Sequence, residues 1–279
     1  MGTVHGVYLK YVGLSALSYG AYTLLSDPSE AGSSSRLLEE DGSGAAASKS
    51  LMKMLPALVM GYSTIVNGAV AVLFKLEWGM AMIGKDKRRG QIPFWSYVIF
   101  FPFHLPTILY THVHTRTMKH KVHDPQTNTS TRKLVPVATE VQPGWWVGGC
   151  FGHELNKDWG GVIDLTVEFP ERCIDRTANY LSAPTWDGVP ASPEDLERAA
   201  TFGVEARKQG DVLVHCAHGR GRSTTVMCAC LVKAGLFSTW EEAFEKGIKP
   251  YRTVCKLNRR MKQNLTQWQA EYVDSKKGK

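Results

Sequence analysis

Val214-His215-Cys216-Ala217-His218-Gly219-Arg220-Gly221-Arg222-Ser223 joins an uncharged, β-branched run to an apolar run with helical spacing, through a loop that carries two glycines. Asp211 to Val214 reads as a buried strand, and Thr224 to Ala234 as a helix stopped by Gly235. The loop between them therefore sits at a helix N-terminus, where backbone amides and the helix dipole favour an anion. Gly219 and Gly221 let the backbone curl around a phosphate without Cβ clashes. Cys216 stands where a thiolate is favoured, since a cysteine at a helix N-terminus beside cations has its pKa lowered to roughly 3.5–7.5. Arg222 closes the loop and can grip two phosphate oxygens with its planar fork, which lysine does less well.

The same residues match the pattern His-Cys-x5-Arg-Ser/Thr at every fixed position. The segment resembles the signature of the cysteine-dependent protein tyrosine phosphatase superfamily. That resemblance implies in-line attack by Cys216 on a phosphomonoester, giving a cysteinyl-phosphate that water then hydrolyses. It further implies that His215 supports the thiolate and Ser223 assists it as a leaving group. Ala217, His218, Gly219, Arg220, Gly221 and Arg222 would line the phosphate, and neither metal nor cofactor is expected. The competing reading is a buried, inert core cysteine, which the arginine-rich loop disfavours.

Hydrolysis of a phosphate ester also calls for an acid to protonate the leaving oxygen. Asp187 in Trp186-Asp187-Gly188-Val189-Pro190 is the first candidate, flanked by prolines and a glycine and next to an aromatic that shields it. The stretch resembles the acid loop of dual-specificity phosphatases. Asp175 and Asp164 compete for the role, although Asp164 lies in a segment that resembles the family's early core strand.

The C-terminal half reads as an α/β fold from about Leu134 to the end. Ser192-Pro193-Glu194-Asp195 opens a helix running to about Lys208, Ser238-Thr239-Trp240 opens another, and Leu257, Met261, Leu265 and Trp268 form a core stripe on a third. Gly144-Trp145-Trp146-Val147-Gly148-Gly149 resembles the segment that opens dual-specificity phosphatase domains. The expected architecture is a dual-specificity phosphatase-like domain over 134–279, a central mostly parallel sheet flanked by helices, preceded by a helical membrane-anchoring region.

The first half has a different composition. Met54–Phe74 and Gln91–Thr111 are both uncharged and long enough to cross a hydrocarbon core of about 30 Å. Residues 1–25 offer a short span or interfacial helix, 26–50 an acidic and Ser/Gly/Ala-rich disordered linker, 51–111 membrane-associated helices, and 112–133 a basic juxtamembrane linker. Residues 84–133 hold nine Lys or Arg against two Asp, so the basic excess, equal to the +7 of the whole chain, lies beside the apolar runs. This suits acidic lipid headgroups and is a poor argument for nucleic acid. Basic clusters on both sides of Gln91–Thr111 suggest a re-entrant hairpin, interrupted by Pro93, Pro102 and Pro106, that leaves the catalytic domain in the cytosol. All six cysteines fall at or after Cys150, without zinc-binding spacing, which fits a reducing compartment. His112, His114, His120 and His123 form a loose cluster read as headgroup contacts rather than a metal site.

The function these readings imply is a membrane-anchored phosphatase acting on a phosphoprotein or a phospholipid. Arg220 adds a second cation suited to a phosphoinositide, whereas Ala217 stands where lipid-cleaving relatives usually place a lysine. The alternative is a phosphatase-fold adaptor that binds phosphorylated partners or lipids at a membrane without turnover.

Overall fold

A computed structural model describes residues 6–26, 44–124 and 129–275. Two units separate by their contacts, Gly6–Trp78 and a larger one that begins at Gly79.

In the first unit, α1 (Tyr8–Leu25) pairs with α2 (Gly44–Leu76). The Tyr11 and Phe74 rings lie 4.9 Å apart, and Ser15 Oγ donates to the Thr64 carbonyl at 2.8 Å. Among the described residues, Met54–Leu76 is the one helical segment long and apolar enough to cross a membrane, with a mean hydropathy of 1.8. Of the linker expected over 26–50, residues 27–43 lie outside the described residues, and 44–50 belong to α2. Ala45, Ala46 and Ala47 explain that extension, alanine being the strongest helix former.

The second unit opens with a 3₁₀ turn, Met80–Ile83, followed by α3 (Phe94–Ile99) and α4 (Phe101–Thr117). The Gln91–Thr111 run is therefore not one continuous span. Pro102 has no N–H with which to continue the ladder from α3, and Phe100 leaves helical geometry at φ −100°, ψ 27°. Nor is the run wholly given to lipid: Ile92, Ser96, Phe103, His104 and Thr111 are buried, and Ser96 Oγ lies 3.2 Å from His104 Nε2. The stretch expected as a basic linker folds in part as an antiparallel pair, β1 (Lys119–Asp124) with β2 (Thr129–Leu134), in keeping with its β-branched Val122, Thr129 and Thr131.

Beyond it, β3 (Ala138–Gln142), β4 (Trp145–Gly148), β5 (Gly161–Thr166), β6 (Tyr180–Thr185) and β7 (Val212–His215) form one sheet in the order β3-β4-β7-β5-β6. All neighbours are parallel except the β3 edge. The helices are α5 (Pro193–Arg207), α6 (Arg222–Lys233), the short α7 (Trp240–Glu242), which runs on as a π-helical turn to Ile248, and α8 (Arg259–Gln269). Ser192 Oγ accepts from the Asp195 amide at 3.1 Å, the cap its sequence announced. Asn258 caps α8 in the same way at 2.8 Å, which starts that helix after Leu257. Residues Arg222 to Val232 of α6 are all buried, so the helix behind the Cys216 loop is the centre of the core. The parallel strands β4, β5, β6 and β7 end together at Gly148, Thr166, Thr185 and His215, and ligands of open α/β sheets bind outside such ends.

Candidate active site

Cys216 to Gly221 occupy the rim between β7 and α6, with Cys216 buried and its Sγ 3.4 Å from Ser223 Oγ. Burial pushes the thiol up. The Arg222 guanidinium, the Ser223 hydroxyl and the backbone amides of the loop outweigh it and hold Cys216 below the usual thiol range. Gly219 has φ +65°, and a Cβ there would lie 2.6 Å from the Gly148 carbonyl carbon and oxygen. Gly219→Ala is therefore expected to distort the loop and to lower turnover about 10²-fold, measured as kcat on p-nitrophenyl phosphate; the misplacement matters because it falls at the reacting centre.

Arg222 is held from below. Its Nη2 meets Glu168 Oε1 at 2.6 Å, and its Nη1 donates to the Leu165 and Thr185 carbonyls at 3.0 and 2.6 Å. Asp187 Oδ1 lies 3.4 Å from Arg222 Nη2, and its side chain is 37% exposed where that of Arg222 is 1% exposed. The acid thus stands at the mouth and the arginine at the floor. The Trp186 to Val189 turn positions it: Val189 N donates to the Trp186 carbonyl at 3.0 Å, and Asn258 Nδ2 donates to the Gly188 carbonyl at 3.0 Å. Trp186 is fully buried, with Phe103 of α4 edge-on at 6.0 Å.

The two competing aspartates lie elsewhere. Asp164 is wholly buried, accepting from the Thr166 amide, the Thr166 hydroxyl and the Tyr180 hydroxyl, and paired with the Lys85 ammonium. Asp175 is exposed in a turn before β6, at the opposite end of the parallel strands from the loop.

His215 turns its ring into a carboxylate pair, with Nε2 2.6 Å from Glu171 Oε2 and 3.7 Å from Asp164 Oδ1. Burial alone would lower its pKa, but Glu171 and Asp164 raise it to about 9. Asp164, which burial alone would raise, is held at about 2 by Lys85 and His215. Lys85 Nζ also donates to the Thr166 carbonyl at 2.9 Å and the Thr166 hydroxyl at 2.8 Å. Asp164, Glu171 and His215 are spaced closely enough for a metal ion, yet the Lys85 ammonium already supplies the cation there.

Four residues in this framework escaped the sequence reading: Lys85, Glu168, Glu171 and Arg252. Arg252 is buried and donates to the Gly219, His218 and Pro136 carbonyls at 2.9, 3.2 and 2.9 Å, bracing the loop against the lead into β3. The glutamates had a signal, two acids directly after a strand that ends at the anion loop. Of the other loop residues, Arg220 Nε points to the Val254 carbonyl at 3.4 Å, and His218 packs edge-on to Tyr110 and His114 of α4. Of the histidines of the basic stretch, His112 faces Phe151, and His120 Nδ1 lies 3.0 Å from Thr253 Oγ1. Cys150 donates its amide to the Ala217 carbonyl at 3.2 Å and Cys255 Sγ lies 3.8 Å from the Gly219 carbonyl, so these two approach the loop. Burial pushes both thiols up.

The chain that carries this cysteine loop, its arginine and the mostly parallel sheet beneath them is similar to dual-specificity phosphatases and to a phosphatidylglycerophosphate phosphatase, a likeness that supports the cysteine-dependent protein tyrosine phosphatase superfamily. Among its relatives, dual specificity protein phosphatase 12 of Rattus norvegicus is 30% identical over 155 residues, 51% of this chain and 44% of that protein. Phosphatidylglycerophosphate phosphatase PTPMT1 of Arabidopsis thaliana is 29% identical over 103 residues, 36% of this chain and 28% of that one. The chain thus spans less than half the length of these curated relatives. Human DUSP28 aligns in structure over 48% of this chain and 94% of its own, with 22% identity and a TM-score of 0.42. No protein-family profile matches the chain.

Proposed function

We propose that this protein is a phosphoric monoester hydrolase working through a cysteinyl-phosphate, anchored to a membrane by α2, with its catalytic unit in the cytosol. The observation that carries the reading is Cys216, its pKa held below the usual thiol range beside Arg222, with the part-exposed Asp187 3.4 Å from the same arginine. The Cys216 thiolate attacks phosphorus in line, Arg222 and the loop amides hold the equatorial oxygens, and the ester P–O bond breaks as Asp187 gives its proton to the leaving oxygen. Water then attacks phosphorus, Asp187 takes its proton, and the P–S bond breaks with Ser223 Oγ–H stabilising the departing thiolate. The substrate is a phosphomonoester on a protein or a lipid, the two chemistries named for the rat and Arabidopsis relatives.

The test is phosphate release by the full chain from p-nitrophenyl phosphate, with Cys216→Ser as the blank. A wild type as inert as the blank leaves the adaptor reading. Asp187→Asn is expected to lower turnover about 10²-fold or more. The sign of its pH effect follows from the acid's role. The wild-type rate falls as pH rises and Asp187 loses the proton it must donate, so the amide should flatten that basic limb while leaving the acidic limb, which reports Cys216, in place. A basic limb that persists in the variant assigns the acid elsewhere.

A further inference from the structure

The α3 and α4 helices are apolar on both sides, and the described residues cover only one side. The covered side carries Phe103, buried against Trp186 beside the acid, and Tyr110 and His114 next to His218 of the phosphate loop. The other carries Phe94, Trp95, Val98 and Ile99 on α3, then Leu105, Ile108, Leu109 and Val113 on α4, with Phe94 81% exposed and Leu105 66% exposed. Within each helix their spacing of three and four residues gathers them on one face. A helix hydrophobic all round belongs in a core or in lipid, and an exposed apolar patch of this kind marks an interaction surface.

We infer that this face lies in the plane of an anionic bilayer and sets the catalytic mouth at the lipid surface, so that the substrate is a phosphomonoester carried on a lipid. Charge complementarity selects the occupant. Exposed Lys87, Arg88 and Arg89 precede the two helices, and Arg116 and Lys119 follow them, Arg116 also pairing with Glu154. Cations bordering apolar faces with Trp and Phe are the pattern of an interfacial helix, and basic residues near an anionic surface strengthen its attachment. A protein partner of matching apolar shape would have no need of that positive border. Because α4 touches both the acid loop and the phosphate loop, whatever covers its outer face lies beside the substrate's path.

The inference rests on Cys216 being a phosphatase nucleophile, and the test separates the two. The full chain is reconstituted in vesicles of phosphatidylcholine with and without phosphatidylglycerol, carrying a phosphatidylinositol phosphate or phosphatidylglycerophosphate. Phosphate release from the lipid is measured beside that from p-nitrophenyl phosphate and from a soluble phosphopeptide. Leu105→Glu with Leu109→Glu should lower lipid turnover about tenfold or more while p-nitrophenyl phosphate hydrolysis stays within about twofold. Lys87→Glu with Arg88→Glu and Arg89→Glu should abolish the advantage of the anionic vesicles. Equal lipid turnover by variant and wild type would overturn the inference, as would a wild type that cleaves the phosphopeptide and ignores the lipid. A dimer that light scattering shows dissolved by the Leu105 and Leu109 changes would assign the face to a second copy and overturn it too. Loss of p-nitrophenyl phosphate hydrolysis by the wild type itself would instead fall on the phosphatase reading.

Discussion

Cys216→Ser is expected to lower p-nitrophenyl phosphate turnover by at least about 10⁴-fold, since the attacking group is lost and with it the covalent route. The substitution changes one atom, so the fold should survive. Arg222 and Ser223 hold the thiol below its usual range, whereas a serine hydroxyl in the same place keeps its proton at neutral pH and offers no comparable nucleophile. Binding should persist because Arg222 and the loop amides are untouched, and the variant should retain phosphorylated ligand that the wild type consumes. Circular dichroism and melting temperature alongside the rate separate lost chemistry from lost structure.

Removal of Lys85 is the second large effect. Its ammonium faces Asp164 with side-chain exposures of 3% and 0%, so Lys85→Met leaves a buried carboxylate short of its closest cation. Breaking a buried pair by deleting one partner costs about 3–5 kcal/mol. The pH dependence follows from Asp164, whose folded pKa of about 2 lies below its unfolded value. Its contribution is fully present above about pH 4 and disappears as pH falls through 2. The gap in stability between wild type and Lys85→Met should therefore be widest above about pH 4 and narrow on acidification, as read from urea midpoints across pH. A fragment of residues 134–279 lacks both Lys85 and Phe103 and should unfold more readily than one beginning at Gly79. Equal stability of the two fragments would show that the Lys85 pair is dispensable.

The contrast between Cys216 and Lys85 shows what a single sequence discloses. The phosphate loop was legible because strand, loop and helix are contiguous, and its chemistry needs fixed residue types at fixed spacing. Ser192 and its proline were legible because a helix cap is decided within four residues. Lys85 was not, because its partner lies 79 residues further along the chain, and a lysine in a basic run looks the same whether it faces headgroups or a buried aspartate. The Gln91–Thr111 run was legible only in part, for a related reason. Apolarity reports that a face needs cover without saying which cover, and here one side is buried among the unit's own residues, Phe103 against Trp186. Asp187 was the first candidate from sequence, and strand direction adds that its turn follows the end of β6 near the loop, whereas Asp175 precedes that strand.

The most direct test is chemical trapping of the intermediate. Wild-type protein mixed with p-nitrophenyl phosphate, quenched in acid within milliseconds and digested, should yield a peptide bearing one phosphoryl group on Cys216, lost in Cys216→Ser and accumulating at steady state if hydrolysis of the P–S bond limits turnover. Phosphate release with no adduct on Cys216 at any quench time would contradict the assignment of this cysteine as the nucleophile.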